Sequence, residues 1–209
     1  MAEAVCASAI HAFGSRADLQ ADPGRVAVSL SKVPVSETTI GYGPGSDYQA
    51  ELTLLDGVWQ IARATGPKSA VNVTTPGEGA GAMFLVTASP EAWKTRALET
   101  PVNGMAALEA LLAQAAPSHG CPGEAIPFKL SGTLMGGEWS VVGRPAGAAG
   151  RIEQADVTLI GIFDPADPDR YFMPQGRKIH VHVVSNDGQL SGHLNDFEAL
   201  TNPSLALPQ

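Results

Sequence analysis

Three of the five histidines in the chain lie within one short stretch, at positions 180, 182 and 193. His180 and His182 stand two residues apart in an apolar, β-branched run, Ile179 to Val184, that predicts a β-strand. Side chains two apart on a strand share a face, so both imidazoles are expected on the same side. Neutral imidazole binds zinc and other divalent transition metals, so this grouping predicts a metal site.

The position of His193 depends on the chain reversal that follows the strand. Asn186-Asp187-Gly188 is a strong tight-turn signal, and Gln189–Phe197 can run back as the partner strand. If Asp187-Gly188 form a two-residue turn, His182 lies opposite His193. If Asn186-Asp187 form it, His180 lies opposite His193. Either register gathers the three imidazoles on one face, with opposed Cβ atoms roughly 4.5–5.5 Å apart. A three-residue loop would send His193 to the other face.

Three imidazole ligands would leave the fourth tetrahedral position of Zn²⁺ open for water or substrate. That vacancy is what distinguishes catalytic zinc sites from closed structural ones. Copper, nickel and iron are also compatible with imidazole ligands. The alternative interpretation is that His180 and His182 are incidental strand residues and His193 is unrelated to them.

The composition favours a protein with many turns and short strands, and it argues against nucleic acid and membrane partners. The chain has 209 residues, a formal net charge of −8 and only 16% charged residues. An acidic surface does not attract nucleic acid or anionic membranes, so neither is expected as a partner. Twenty-three glycines and sixteen prolines indicate many turns, and no apolar run reaches the roughly 18 residues of a membrane span. We expect one domain over residues 1–209.

Location, disulfide bonding and assembly are less constrained. No basic region followed by an apolar core is visible at the N-terminus, so this sequence shows no signal peptide, and a mature chain from which one had been removed would look the same. Cys6 and Cys121 are the only cysteines, and they can form one disulfide or stay reduced. The sequence therefore leaves both a cytoplasmic and a periplasmic location open, and it leaves a homodimer among the possible assemblies.

Local patterns predict two helices and a series of short strands. The helices are expected at Glu3–Phe13 and at Met105–Ala115, the second stopped by Pro117. The strands are expected at Arg25–Val33, Ala82–Ala88, Ala155–Phe163 and Ser204–Leu207, with hairpins around Asp56-Gly57 (residues 47–63) and around Gly136-Gly137 (residues 128–142). The acidic stretch 164–169 is interpreted as a solvated loop, because its prolines fit no calcium-binding loop.

Four segments together resemble the α-acetolactate decarboxylase family. His180-x-His182, ten intervening residues and Gly192-His193 are similar to the histidine motif of that family. Upstream, Glu51–Gly57 resembles its Glu-Leu-x-x-Leu-Asp-Gly segment, while Lys129–Leu134 and Val157–Gly161 resemble two of its later strands. The matches occur in the same order between Glu51 and His193, a span of 143 residues.

The resemblance implies a fold, a cofactor and a reaction. The fold is an α+β class, β-rich, with mixed sheets or a half-barrel and a few short helices. The cofactor is Zn²⁺ held by His180, His182 and His193. The reaction is the decarboxylation of a 2-hydroxy-3-oxo acid, 2-acetolactate, to acetoin through a metal-stabilised enediolate, which would make the chain a metal-dependent carboxy-lyase. Glu51 matches the active-site glutamate of the family and is expected to be a proton donor or a substrate anchor.

The chain departs from the family pattern at two positions. The register of the family's active-site arginine falls on Ser140, so the cation must come from elsewhere. Arg144 is our candidate, with Arg177 and Lys178 as alternatives. The second family carboxylate, near the C-terminus, has no counterpart, since no acidic residue follows Glu198.

Two other functions fit the same residues. A zinc-bound hydroxide could hydrolyse or hydrate a substrate, because that chemistry needs less clamping of the substrate. A non-catalytic domain that binds a metal or a small ligand, including a cupin-like barrel, would also use a His-x-His strand. Assays for acetoin formation, ester hydrolysis and CO₂ hydration separate the two enzymatic functions.

Overall fold

The computed structural model describes residues 9–22, 24–119, 121 and 123–209, and these ranges form a β-rich α+β fold. The fold class expected from the sequence is confirmed, and every strand pairing in these ranges is antiparallel. The strands are β1 (Ile10–Phe13), β2 (Val28–Ser29), β3 (Ile40–Pro44), β4 (Glu51–Leu55), β5 (Val58–Gly66), β6 (Ser69–Val73), β7 (Gly81–Ala82), β8 (Leu85–Ala88), β9 (Trp93–Ala97), β10 (Ile126–Val141), β11 (Ala148–Phe163), β12 (Ile179–Ser185), β13 (Ser191–Asp196) and β14 (Ala199–Pro208). The α-helices are α1 (Arg16–Ala21) and α2 (Gly104–Ser118), and short 3₁₀ turns occupy Leu30–Lys32 and Ser46–Tyr48.

The first large sheet has the strand order β1-β8-β3-β4-β5-β6. Its β4–β5 hairpin turns at Asp56 and Gly57, as predicted. Both turn residues have positive φ, 49° and 78°, which is the backbone of a type I′ turn and explains the Asp-Gly pair. Because strand side chains alternate, Glu51 and Thr53 project from the same face of β4.

The second large sheet has the order β11-β12-β13-β10-β14-β9, and β10 also pairs with β11. That extra pairing closes a ring of four strands, β10 to β13. Two strands of this ring, β12 and β13, carry the histidine motif. The hairpin expected there is confirmed.

Helix α2 covers one face of the second sheet. Its buried residues Met105, Leu108 and Leu112 pack in a core that includes Val181 and Val183 of β12. Since residues 181 and 183 alternate with 180 and 182, this packing turns the histidines to the opposite face, towards the first sheet. No helix in the described ranges has the length and apolar character needed to cross a membrane.

Two predicted elements near the N-terminus are wrong. Within the described part of the predicted helix Glu3–Phe13, residues Ile10–Phe13 form strand β1. They are extended because they pair with β8 along the edge of the first sheet. The predicted strand Arg25–Val33 is extended only at Val28–Ser29. The chain then turns in a 3₁₀ helix, which places Leu30 in the core. Short apolar segments are ambiguous between helix and strand until a partner is known.

The predicted hairpin around Gly136-Gly137 is also wrong. Residues 126–141 form one continuous strand. Strand β10 pairs with β11 on both sides of Gly136, at Met135↔Gln154 and Gly137↔Ile152. Gly136 has a φ of 63°, so it bends the strand without reversing it. The equally long β11 supplies the partner that a hairpin would have needed within β10.

The remaining predicted elements lie close to the observed ones. The 105–115 helix lies within α2, with Pro117 in its last turn, and the strands at 155–163 and 204–207 lie within β11 and β14. The stretch 82–88 divides into β7 and β8. Cys6 lies outside the described residues, so its pairing with buried Cys121 stays an open expectation.

Gly161 lies beside the histidine strand, paired with Val181, and has no room for a side chain. A Cβ there would run into the carbonyl oxygen of His180 and the ring of Phe128. We expect Gly161→Ala to lower the free energy of unfolding by about 1–3 kcal/mol, the usual cost of overpacking. Chemical denaturation measures this. Gly77→Ala is the control, because a Cβ at Gly77 meets nothing within 4 Å; equal losses in both variants would contradict the steric argument.

Candidate active site between the two sheets

Three imidazoles converge on the face of β12 and β13 that meets the first sheet. His182 lies directly opposite His193, the first of the two registers considered from the sequence. His180 lies on the same face of β12, next to Ile162 of β11. The ring centroids are 5.3 Å apart for His180–His182, 4.8 Å for His180–His193 and 5.7 Å for His182–His193.

The turn that sets this register is longer than the two-residue turn expected. Ser185 N–H donates to the Leu190 carbonyl at 2.9 Å, which leaves a four-residue loop, 186–189, between the strands. Inside it, Gly188 N–H donates to the Ser185 carbonyl at 2.9 Å. The four-residue loop leaves the strand pairing that a two-residue turn at Asp187-Gly188 would give, so the side chains keep the same faces.

His180 is held by a backbone carbonyl from a neighbouring loop. Its Nδ1–H donates to the carbonyl oxygen of Phe172 at 2.8 Å. Tyr42 of β3 stacks on the ring, with centroids 4.1 Å apart and planes at 27°. The Tyr42 hydroxyl in turn donates to the carbonyl of Tyr171 at 2.8 Å. Two successive carbonyls of one loop thus fix the ring and the aromatic side chain stacked on it.

That loop is anchored by the acidic stretch, which is not wholly solvated as expected from the sequence. Asp164 is completely buried. Its carboxylate accepts from Arg170 Nε and Nη2 at 3.0 and 2.8 Å, and from the backbone N–H groups of Ala166 and Asp167. A buried carboxylate is tolerated because all of these donors satisfy it. The result is a compact loop that can present Phe172 at a φ of 58°, which bulky residues rarely adopt.

His182 is fully buried between two side chains of β4. Its Nδ1 lies 2.7 Å from the hydroxyl oxygen of Thr53, and its Nε2 lies 3.5 Å from Glu51 Oε1. Glu51 and Thr53 come from the first sheet, whereas His182 belongs to the second. This ring therefore forms a polar contact between the two sheets.

His193 is half-buried and marks the side on which the site meets solvent. Its Nδ1–H donates to Asn195 Oδ1 at 3.0 Å, and Asn195 Nδ2 donates to Ser140 Oγ at 3.1 Å. Ser140 is paired with His193 across β10 and β13. Ser140, the position expected to align with the family arginine, thus lies beside His193. Its hydroxyl group orients Asn195.

Two ring nitrogens in this cluster lack a partner. His182 Nε2 and His193 Nε2 are buried and make no hydrogen bond with any residue that the structure describes. Three imidazoles bound tetrahedrally to one zinc ion, with Zn–N bonds of about 2.0–2.1 Å, would have ring centroids about 5 Å apart. Among the described residues, no three His, Cys, Asp or Glu side chains stand in complete ligand geometry for a metal ion. The fit of a metal therefore rests on the ring spacing and on the two unpartnered nitrogens.

Burial keeps all three histidines neutral. It holds the pKa values of His180 and His182 well below the usual histidine value, and the neighbouring rings lower them further. Burial also lowers the pKa of His193, although the bond to Asn195 opposes the change. Neutral imidazoles carry the free lone pair that a metal ligand needs.

Glu51 is a buried carboxyl group, and among the described residues it accepts a hydrogen bond from the backbone N–H of Val142 at 3.1 Å. Burial raises its pKa to about 8, although the Val142 bond opposes that change. Near pH 7 both Glu51 and His182 are then neutral, so the 3.5 Å approach of their side chains is not an ion pair. A carboxyl group that stays protonated at neutral pH is able to donate a proton.

The candidate cations lie outside this cluster. Arg144 is exposed in the turn after β10, and its guanidinium lies over the ring of Tyr48, 5.0 Å from the centroid. Arg177 pairs with Asp196 at 3.7 Å. The backbone N–H of Lys178 binds Glu109. The structure brings the three histidines and Glu51 together, while a catalytic role for Arg144 stays a prediction.

Sequence reasoning missed the groups that hold the rings. Thr53 sits at an unspecified position of the Glu51–Gly57 motif, although its spacing from Glu51 places it on the same face. Asn195 follows His193 by two residues, and the same rule could have found it. The carbonyl of Phe172 had no detectable signal, because any residue supplies a carbonyl and only the folded loop aims it.

Comparisons with known proteins identify the fold. No family model matches the chain, and no curated protein matches it. An α-acetolactate decarboxylase from Bacillus subtilis strain 168 superposes with a TM-score of 0.76 at 16% identity, over 96% of this chain and 85% of that one. A protein of unknown function from Staphylococcus aureus, described as similar to α-acetolactate decarboxylase, gives 0.72 at 14% identity, over 95% and 84%. This chain therefore has the α-acetolactate decarboxylase fold.

The buried titratable groups predict how the stability of the metal-free protein depends on pH. Below about pH 6.5 the three histidines are protonated in the unfolded state but stay neutral in the folded state. The free energy of unfolding therefore rises with pH, by up to about 1.4 kcal/mol per pH unit for each histidine. Between its ordinary pKa of 4.5 and about 8, Glu51 holds a proton only in the folded state, so its contribution falls as pH rises. Among these four groups, the effect of the histidines on the free energy of unfolding is larger than that of Glu51 below pH 6.5, and the effect of Glu51 dominates above it.

We therefore expect maximal stability near pH 6.5, measured by denaturant unfolding after dialysis against a chelator. In Glu51→Gln the decline between pH 6.5 and 8 should disappear, while the acid limb remains. A wild-type protein whose stability keeps rising to pH 8, in parallel with the variant, would contradict the buried acid.

Proposed function

We propose that this chain, which has the α-acetolactate decarboxylase fold, is a metal-dependent lyase that decarboxylates a 2-hydroxy-3-oxo acid of the acetolactate type. The observation that carries the proposal is the cluster of three neutral imidazoles beside the buried carboxyl group of Glu51. His180, His182 and His193 would hold Zn²⁺ or another divalent transition metal. The partner would be a small organic acid, as the resemblance to α-acetolactate decarboxylases implies.

The metal, when bound, would supply Lewis-acid stabilisation of the negative charge that develops on substrate oxygens as CO₂ leaves. The protein supplies the rest. Each ring is held on its Nδ1 side by Phe172, Thr53 or Asn195, which keeps the Nε2 side available for the metal. The stacked ring of Tyr42 and the buried surroundings of His182 exclude water from the inner side of the site.

Glu51 is suited to the proton transfer that completes the reaction. When the bond to the carboxylate breaks, its electron pair stays with the substrate, and that carbon must gain a proton to give the 2-hydroxy ketone. Glu51 projects into the site, and its other oxygen is held by Val142 N–H. It would donate the proton and be reprotonated from solvent, so one proton is taken up for each CO₂ released.

Arg144 remains in the proposal as the partner of the substrate carboxylate. It lies two residues after Val142, so its turn directly follows the residue whose backbone N–H binds Glu51. The guanidinium is exposed and packs on Tyr48 rather than in an ion pair of the described residues. A flexible exposed cation can be recruited by an anionic substrate, because a guanidinium matches the geometry of a carboxylate.

Metal binding is tested first. Wild-type protein should bind one equivalent of zinc, and His182→Ala should lose most of it, because an imidazole ligand is gone. Elemental analysis after dialysis, with chelator competition, measures both. His11→Ala is the control, since His11 is exposed on β1 and far in sequence from the cluster. Equal zinc content in the His182→Ala variant and wild type would remove His182 from the site.

Turnover is tested with 2-acetolactate, by acetoin formation and CO₂ release. We expect Glu51→Gln to keep its zinc and to lower kcat by about 10²–10⁴-fold, the usual contribution of a general acid. The matched control Glu78→Gln changes an exposed carboxyl group in a loop and should leave kcat unchanged. Undiminished turnover in Glu51→Gln would exclude the acid role.

The same assays separate the alternative functions. Zinc binding with ester hydrolysis or CO₂ hydration, but without acetoin, would favour a zinc-hydroxide enzyme. Zinc binding with none of these reactions would favour a binding domain.

A further inference from the structure

We propose that Thr53 is the positioning residue of His182, and that its hydroxyl group, which can donate or accept, keeps Nδ1 hydrogen-bonded in either tautomer of that ring. The inference concerns the metal-free protein directly, and its consequence for metal affinity rests on the function proposed above. Thr53 is a positioning residue rather than a catalytic one, because it acts through the ring of His182.

The contact is short, buried and between the two sheets. Thr53 Oγ1 lies 2.7 Å from His182 Nδ1, and both residues are fully buried. Thr53 is in the middle of β4, paired with Gln60 of β5 on one side and with Tyr42 of β3 on the other. Its backbone is thereby fixed in the sheet, so the hydroxyl group holds the ring from a rigid element rather than from a loop.

The partners of the other two rings differ from Thr53 in one chemical respect. The Phe172 carbonyl on His180 can only accept a hydrogen bond. Asn195 presents its amide oxygen to His193, because its amide nitrogen is used by Ser140. Both groups impose a proton on Nδ1 and leave Nε2 with its lone pair. A threonine hydroxyl can donate or accept, so His182 is the ring of the three whose tautomer is free to change.

Each tautomer of His182 suits a different state of the site. With the proton on Nε2, the ring donates towards Glu51 Oε1, at 3.5 Å, and the Thr53 hydroxyl donates to Nδ1. With the proton on Nδ1, the hydroxyl accepts it and Nε2 is free to bind a metal. The hydroxyl group can rotate between these arrangements without moving the backbone. A valine at this position would fill the same space but leave Nδ1 without a partner in either state.

The affinity test uses two pairs of variants that each differ at the hydroxyl group. Wild type is compared with Thr53→Val, and Thr53→Ser with Thr53→Ala. Removal of the hydroxyl should lower zinc affinity by about 10–100-fold in both pairs, the usual effect of losing a group that orients a ligand. Chelator competition measures the affinities. Thr39→Val is the control, because Thr39 is also fully buried and hydrogen-bonded but contacts no histidine; it should lower stability and leave zinc affinity unchanged.

A second measurement does not depend on metal binding. The nitrogen chemical shifts of His182 in the metal-free protein, assigned by comparison with His182→Ala, report its tautomer. We expect wild type and Thr53→Ser to share one pattern, with a hydrogen-bonded Nδ1, and Thr53→Val and Thr53→Ala to share another. If the wild type binds no zinc, the proposed function fails, while these shifts still decide the role of Thr53. Identical shifts in all four proteins, or equal zinc affinity within both pairs, would overturn the proposal.

Discussion

The imidazoles of His180, His182 and His193 are packed between two β-sheets, where an unpartnered polar atom costs about 1–3 kcal/mol. The fold satisfies the Nδ1 side of each ring with a separate element: the loop before β12, strand β4 and strand β13. It leaves two Nε2 atoms without partners. A cluster held so completely on one side and unsatisfied on the other is the arrangement expected when a further group completes it. The contacts of His182 with Thr53 and Glu51 join the two sheets at this cluster.

Strand β4 brings two different functions to the same ring. Thr53 contacts His182 at Nδ1, while Glu51, two residues earlier and on the same face, approaches Nε2. The buried position that raises the pKa of Glu51 also brings it beside the imidazoles. Placing both groups on a central strand, with β3 and β5 on either side, holds them more rigidly than a loop would. The tight Asp56-Gly57 turn keeps β4 in register.

The similarity to α-acetolactate decarboxylases is one of fold, at 14–16% identity over at least 95% of this chain. What this chain has in place of the expected arginine is a hydrogen-bonded pair: Ser140 orients Asn195, and Asn195 orients His193. The exposed Arg144 lies in the following turn, where a substrate could recruit it. Substrate recognition is therefore the part of the proposal that depends most on residues particular to this chain.

Local sequence was sufficient where the physical rule is local. Alternation along a strand placed His180 with His182 and Glu51 with Thr53, and the Asp-Gly pair predicted the β4–β5 turn through its positive φ angles. The common face of the three histidines was also predictable, because the even-numbered loop observed at 186–189 preserves the faces of a two-residue turn. Which of the two possible registers forms, with His182 opposite His193, was decided by the structure. Helix α2 was visible from the spacing of its leucines.

Only the tertiary structure decided the outcomes that depend on a distant partner. Ile10–Phe13 is a strand because β8 offers a free edge, and residues 126–141 form one strand because β11 is equally long. Asp164 is buried because Arg170 and two backbone N–H groups surround it, and Phe172 reaches His180 only through that loop. Burial of Glu51 depends on a second sheet that its own motif does not encode. Short-range pattern specifies which face a side chain takes, whereas the environment on that face is created by chain segments far away in sequence.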